Sequence, residues 1–150
     1  MEIRHIQYTD ILTAGNSAEL LDEYSCECSI PEIGHTCPQA QMYNRMETSG
    51  LMHCFGAFDG NLLIGFAAIL IYVLPHYGVK VASVESLFVS KDHRPSGMGI
   101  ALIKCIEQDA KSNGCTAILY SAPVSSQLEK VLSMRKQYRR TNAVFTRKLQ

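Results

Sequence analysis

The sequence predicts an α/β chain (an α+β mixed sheet with helices on its faces) in the order βααβββαβαβ. Three observations predict it. Leu51 to Phe58 and Asn61 to Leu74 are apolar runs joined at Asp59–Gly60, a favoured dipeptide of tight hairpin turns. Met98, Leu102, Cys105, Ile106 and Ala110 recur at helical spacing, with Lys104, Gln108 and Lys111 on the opposite face. Strand-like runs flank that helix, so it should form a right-handed strand–helix–strand crossover with a parallel pair.

Taken in order, Met1 to Tyr8 alternates weakly at Ile3 and His5 and reads as a short strand. Thr9 or Asp10 offers an N-cap for a helix carrying Ile11, Leu12, Leu20, Leu21 and Tyr24, weakened at Gly15. Cys26 to Cys37, with Pro31 and Gly34, reads as a loop. Pro38 suits the first turn of a second helix, with Met42 and Met46 on one face and Gly50 as its stop. Leu51–Phe58, Asn61–Leu74 and Val79–Val89 then make an antiparallel meander, the last two joined by a turn at Pro75–Gly78. The helix from Met98 to Asn113 stops at Gly114, and Cys115 to Tyr120 is the next strand. A helix near Ser125–Lys136 and a strand near Thr141–Leu149 close the chain.

No repeat, linker or low-complexity stretch divides the 150 residues, so 1–150 reads as one domain. Lys+Arg and Asp+Glu balance at 14 each, and the pI near 6.9 leaves neither a basic footprint for nucleic acid nor an attraction to anionic membranes. The longest apolar run, Leu62 to Leu74, has 13 residues, short of the roughly 20 that span a bilayer. Six cysteines and a polar start without a signal-peptide core point to reduced thiols and a cytoplasmic location.

The informative segment is Arg94-Pro95-Ser96-Gly97-Met98-Gly99-Ile100, between a strand and an amphipathic helix. Two glycines one residue apart let the backbone approach a ligand, and the helix presents free N–H groups and a positive dipole end to an anion. Arg94 adds a mobile cation at the rim. A Walker loop needs Gly-Lys-Ser/Thr, which is absent, and the third small residue of a dinucleotide fingerprint falls on Leu102. The plain alternative is a glycine-rich turn that only redirects the chain.

Leu87-Phe88-Val89, then Arg94-x-x-Gly97-x-Gly99, then Ile100-Ala101-Leu102-Ile103 resembles motif A of the GNAT superfamily of N-acetyltransferases, in its small bacterial or phage type. The element order extends the resemblance over nearly the whole chain. The resemblance implies that Arg94, Pro95, Ser96, Gly97, Met98, Gly99 and Ile100 bind the pyrophosphate of acetyl-CoA. It implies that the backbone of Leu87, Phe88 and Val89 pairs with the pantetheine arm, and that Ser126 stands where an asparagine often touches the cofactor. It also implies direct transfer of the acetyl group to an amine, with no metal.

Glu85 is a carboxylate in an otherwise apolar strand, costly unless it is paired or at a wet cleft. The family often places an acid on this strand to take the amine proton, since only a neutral amine attacks a thioester. A structural ion pair is the alternative. Cys26, Cys28, His35 and Cys37 are zinc-ligand types at spacing unlike paired Cys-x-x-Cys knuckles, so free thiols on a substrate lid are the better reading. His76 and Tyr77 could reach an acceptor pocket or merely punctuate a turn, and His5, His53 and His93 show no pairing in sequence.

The C-terminal part departs from the family. Ser133 stands where a tyrosine often protonates the leaving thiolate, Tyr138 aligns with a packing phenylalanine, and the usual last strand is missing or supplied by a partner, which raises a homodimer. Two functions follow: an acetyl-CoA-dependent N-acetyltransferase acting on a small-molecule or protein amine, or a non-catalytic acyl-CoA-binding or protein-interaction module on the same fold.

Overall fold

A five-stranded mixed sheet in the order β1-β2-β3-β4-β5 forms the centre of the computed structural model, which describes residues 1–150. Its strands are β1 (Glu2–Ile6), β2 (Met52–Asp59), β3 (Leu62–Leu74), β4 (Val79–Val89) and β5 (Ala117–Leu119). The first four pair antiparallel in succession, and β4 pairs parallel with β5. The hairpin between β2 and β3 turns one residue later than expected: Asp59 still pairs with Leu62, and Gly60 takes a φ of 58° at the turn. The meander and the parallel pair are as the sequence predicts.

Helices cover both faces. On one lies α4 (Met98–Ser112), whose Met98, Leu102, Ile103, Ile106 and Ala110 are buried. Met98, Leu102, Ile106 and Ala110 join a core with Phe55, Ala57, Ile64, Ala67, Ile69, Ala82 and Val89. On the other face, α1 (Tyr8–Thr13) and α2 (Ser17–Cys28) bury Tyr8, Ile11 and Leu20 against Met52, Cys54, Leu63, Phe66, Ala68 and Phe88. Adjacent residues such as Cys54 and Phe55 go to opposite cores, as the pleat requires.

The expected first helix is two. The chain breaks at Ala14–Asn16, around Gly15, and α1 starts one residue before Thr9. Asp10 is its third residue rather than its cap and accepts a hydrogen bond from the Gln7 amide at 2.9 Å. α2 runs to Cys28, so Cys26 and Cys28 lie in its last turn and not in a loop. The next helix, α3 (Ala40–Thr48), begins two residues after Pro38 and ends before Gly50, whose φ is 74°.

The chain closes with α5 (Gln127–Ser133), shorter than expected at its C-terminal end. The final strand of the expected order does not form. Residues 141–150 have no regular structure and are exposed throughout. In a strand Ala143, Phe145 and Leu149 would share one face, yet that alternation alone does not order the segment. The three residues of β5 also offer a short edge to build on.

Two local features shape the site. Ala68 pairs with Ser86 but Ile69 pairs with Val84, so Glu85 is the extra residue of a β-bulge. Val84 and Leu87 consequently both pack toward α4. In a regular strand, residues three apart would face opposite sides. In addition, β5 pairs with β4 only over Val81–Ser83, so the edge of β4 from Val84 onward is open on that side.

Candidate active site

The open edge of β4 is one wall of a cleft of about 540 Å³. Leu87, Phe88 and Val89 form that wall, Gly97, Gly99, Ile100 and Ile103 the floor, and Pro123 to Leu128 with Val131 the opposite side. Glu27 and Cys28, at the end of α2, close it from above together with Arg94. Gly65 on β3 lets this wall approach: a Cβ there would stand 2.6 Å from the Phe88 carbonyl oxygen.

A 3₁₀ helix, Lys91–Ser96, leads from β4 to α4. Gly97 ends it with a φ of 83°, a conformation that glycine adopts without penalty. The first intrahelical bond of α4 runs from the Ala101 amide to the Gly97 carbonyl at 3.1 Å. The amides of Gly99 and Ile100 precede it and lack intrahelical acceptors, whereas the Met98 amide is met by Ser96 Oγ at 3.3 Å. A Cβ on Gly99 would meet only Val89 Cγ2, at 3.9 Å, so the backbone there fronts open space in the cleft. An anionic group of a ligand thus has donors, a helix dipole and room.

Arg94 is not the mobile cation expected. Its Nε donates to the Val89 carbonyl at 2.9 Å and its Nη2 to Glu27 Oε2 at 2.7 Å. Across the cleft, Ser126 caps α5 by accepting from the Glu129 amide at 3.1 Å, while the Ser125 amide donates to Glu129 Oε2 at 2.6 Å. Ser125 has a φ of 63°, the left-handed region that non-glycine residues seldom occupy.

Glu85 lies outside the cleft lining, two residues along β4 from Leu87, and is exposed. Its Oε1 accepts from the Tyr43 hydroxyl at 3.1 Å, and the Tyr43 ring stacks on Tyr8 with centroids 3.6 Å apart. The bulge therefore turns this carboxylate toward the helices of the α1–α3 face. Burial pushes the Tyr43 hydroxyl up to about 12 and raises those of Tyr8 and Tyr24 further, so all three are neutral donors at physiological pH. Beside Glu85, Ser86 is buried and its Oγ has no hydrogen-bond partner.

Of the residues expected from sequence, Leu87, Phe88, Val89, Arg94, Gly97, Gly99, Ile100 and Ser126 converge on the cleft; Pro95, Ser96 and Met98 do not line it. Met98 is in the core, and the Ser96 hydroxyl donates to the His93 carbonyl. Ser133 ends α5 away from the cleft, and Tyr138 donates to Glu107 Oε1 at 2.6 Å. No three His, Cys, Asp or Glu side chains gather as a metal-binding group, and all six cysteines are free. His76 and Tyr77 stack edge to face in their turn. His53 and His93 do find partners: Asp109 Oδ2 at 2.6 Å and Ser90 Oγ at 2.8 Å. Glu27, Cys28 and the Pro123–Ser125 wall belong to no motif legible in the sequence, and only the continuation of helical spacing past Tyr24 signals the first two.

Residues 18–130, which include this entire cleft except Val131, match the model of the Acetyltransferase (GNAT) family. Solved structures share the fold across the whole chain. A ribosomal-protein-alanine N-acetyltransferase from Brucella melitensis biovar Abortus 2308 superposes with a TM-score of 0.70 at 19% identity, covering 98% of this chain and 99% of that one. An aminoglycoside acetyltransferase from an uncultured soil metagenomic sample, in complex with sisomicin, gives 0.75 at 14% identity, covering 99% and 96%. The aminoglycoside antibiotic 6'-N-acetyltransferase of Acinetobacter haemolyticus gives 0.67 at 18% identity and full coverage of both chains. No helix is long and apolar enough to cross a membrane. With three quarters of its length matched by the family model, the chain belongs to the GNAT acetyltransferase family.

Proposed function

We propose that the chain is an acetyl-CoA-dependent N-acetyltransferase that moves an acetyl group to an amine by direct attack on the thioester. The observation that supports this most is the juxtaposition of two features in one cleft. The open edge of β4 at Leu87–Val89 can pair with an amide-bearing arm, and it leads to the unpaired amides of Gly99 and Ile100 at the N-terminus of α4. A Cβ-free surface at Gly99 leaves the room a pyrophosphate needs. Ser126 supplies a further hydroxyl across the cleft.

Acetyl-CoA, when bound, supplies an acetyl thioester activated toward nucleophiles. The chain's own part is orientation and proton movement. Leu87–Val89 and the first turn of α4 fix the donor, and the Glu85 carboxylate, held by Tyr43, takes the proton of the incoming ammonium. The exposed Glu85 carboxylate suits a cationic amine. The aminoglycoside acetyltransferases that share the fold are consistent with a small-molecule amine acceptor; a protein amine is the other class. A non-catalytic acyl-CoA-binding module is the second reading, and one observation favours it: no tyrosine lines the cleft.

The outer edge of β5 is unpaired, and Val144, Phe145 and Leu149 are exposed, so a homodimer would cover this end of the sheet. Free thiols and a diffusible acetyl donor fit a cytoplasmic setting. The functional test is CoA-thiol release from acetyl-CoA over a panel of amines, aminoglycosides and peptides included. Amine-dependent release supports the enzyme, and binding of acetyl-CoA without release under any amine supports the module.

A further inference from the structure

Glu27 Oε2 accepts from Arg94 Nη2 at 2.7 Å, and Glu27 Oε1 lies 3.6 Å from Lys91 Nζ. One turn earlier on α2, Glu23 Oε1 accepts from the backbone amide of Lys91 at 2.7 Å. Two carboxylates four residues apart on one helix face thus hold the β4–α4 connection at three points. Glu27 and Arg94 both line the cleft. A carboxylate and a phosphate both accept charge-assisted hydrogen bonds from a guanidinium, so they compete for the Arg94 Nη2 donor.

We infer that Glu27 is a built-in competitor for the cofactor's phosphates: it holds Arg94 when no cofactor is bound, and a bound pyrophosphate takes Arg94 and loosens the C-terminal end of α2, which then keeps only its two contacts to Lys91. The inference rests on the proposed cofactor site. This loosening has a second consequence, because residues 29–39 run directly from α2 to α3, and α3 carries the Tyr43 that holds Glu85. It also leaves the Glu27 carboxylate with Lys91 as its one remaining cationic partner, so that it is freer to draw a cationic amine. Cofactor binding thereby favours amine binding, and linkage makes the coupling reciprocal.

The probe is CoA, titrated calorimetrically into wild type, Glu27→Gln, Arg94→Gln and the double variant, with hydrogen exchange followed over Ser25 to Cys37. Circular dichroism checks that each variant is folded. Glu27→Gln keeps the side chain's length, and its expected effect is tighter CoA binding by about fivefold. With Arg94→Gln already present, the same substitution changes affinity by less than about twofold, since their joint effect is not additive. CoA speeds exchange of Ser25 to Cys37 in wild type, whereas in Glu27→Gln this segment exchanges fast with or without CoA. Equal gains in both Arg94 backgrounds would mean general charge repulsion and overturn the inference. Unchanged or weaker binding by Glu27→Gln would overturn it too, as would slower exchange in wild type on adding CoA. Failure of wild type to bind CoA at all would bring down the functional reading first, and this inference with it.

Discussion

Tyr43 and Glu85, forty-two residues apart in sequence, are joined by a 3.1 Å hydrogen bond from the phenol to the carboxylate. The contact exists because β4 carries one extra residue at this point, which turns Glu85 away from α4 and toward α3. Tyr8 stacks on Tyr43 from behind, and the Tyr8 amide is anchored to Glu47 Oε1 at 2.8 Å. The carboxylate is therefore held by a supported donor rather than waving in solvent.

Replacing Glu85 by Gln is expected to preserve the fold and CoA affinity while lowering turnover by roughly 10²–10⁴, the usual worth of a general base. The loss shrinks as pH rises and the amine loses its proton unaided. Tyr43→Phe gives a smaller loss, because it disturbs the orientation of the base and leaves the base in place. Steady-state rates across a pH series check both, and identical profiles for wild type and Glu85→Gln would make Glu85 structural.

Much of this arrangement is legible in the sequence. The apolar runs around Asp59–Gly60 locate the meander, and the spacing of Met98, Leu102, Ile106 and Ala110 locates α4, because both signals are local and periodic. The bulge at Glu85 is not legible: it is a mismatch between two strands, and no single strand displays it. Cys26 and Cys28 read as loop because of their polar, cysteine-rich setting, yet helical order persists to Cys28 and the chain turns only near Pro31. That hides Glu27 and with it the true state of Arg94. The Pro123–Ser125 wall depends on where α5 packs, and the expected last strand finds only the three residues of β5 as an edge to pair with.

Tyr138 is expected to contribute stability and not acid catalysis. Its hydroxyl and that of Tyr120 both donate to Glu107 Oε1, at 2.6 and 3.0 Å, on a face that does not line the cleft. Tyr138→Phe should retain most activity and cost about 1 kcal/mol of stability, read by denaturant titration. Ser133→Ala should change little. A thiol with pKa near 8.5 leaves readily, so a dedicated acid is helpful without being indispensable. A thousandfold loss of turnover in Tyr138→Phe, with CoA binding intact, would show that the acid resides there.

Cys28 is expected to be a slow thiol. Burial pushes its pKa up to about 11, with the neighbouring Glu27 carboxylate adding to the shift. Because the thiolate is the reactive form, alkylation at neutral pH should lag behind the exposed Cys26 and Cys37 and accelerate about tenfold per pH unit toward that value. Mass spectrometry of peptides after timed alkylation measures this.

Gly97 takes a φ of 83°, and a Cβ added there would meet nothing within 4 Å, so Gly97→Ala costs backbone strain and no clash. A loss of roughly 1–2 kcal/mol is expected, visible as a lower Tm. An unchanged Tm would show that the loop relaxes out of this conformation.

The central claim is that acetyl-CoA lies against the backbone of Gly99 and Ile100 at the start of α4. The most direct measurement is a calorimetric titration of acetyl-CoA into wild type and Gly99→Val. The valine side chain would extend into the cleft, its Cβ meeting only Val89 Cγ2 at 3.9 Å, so the fold survives while the phosphate's space is filled. The predicted result is one-to-one binding by wild type and none by the folded variant. Equal affinity in the two proteins would contradict the claim and remove this loop from the cofactor site.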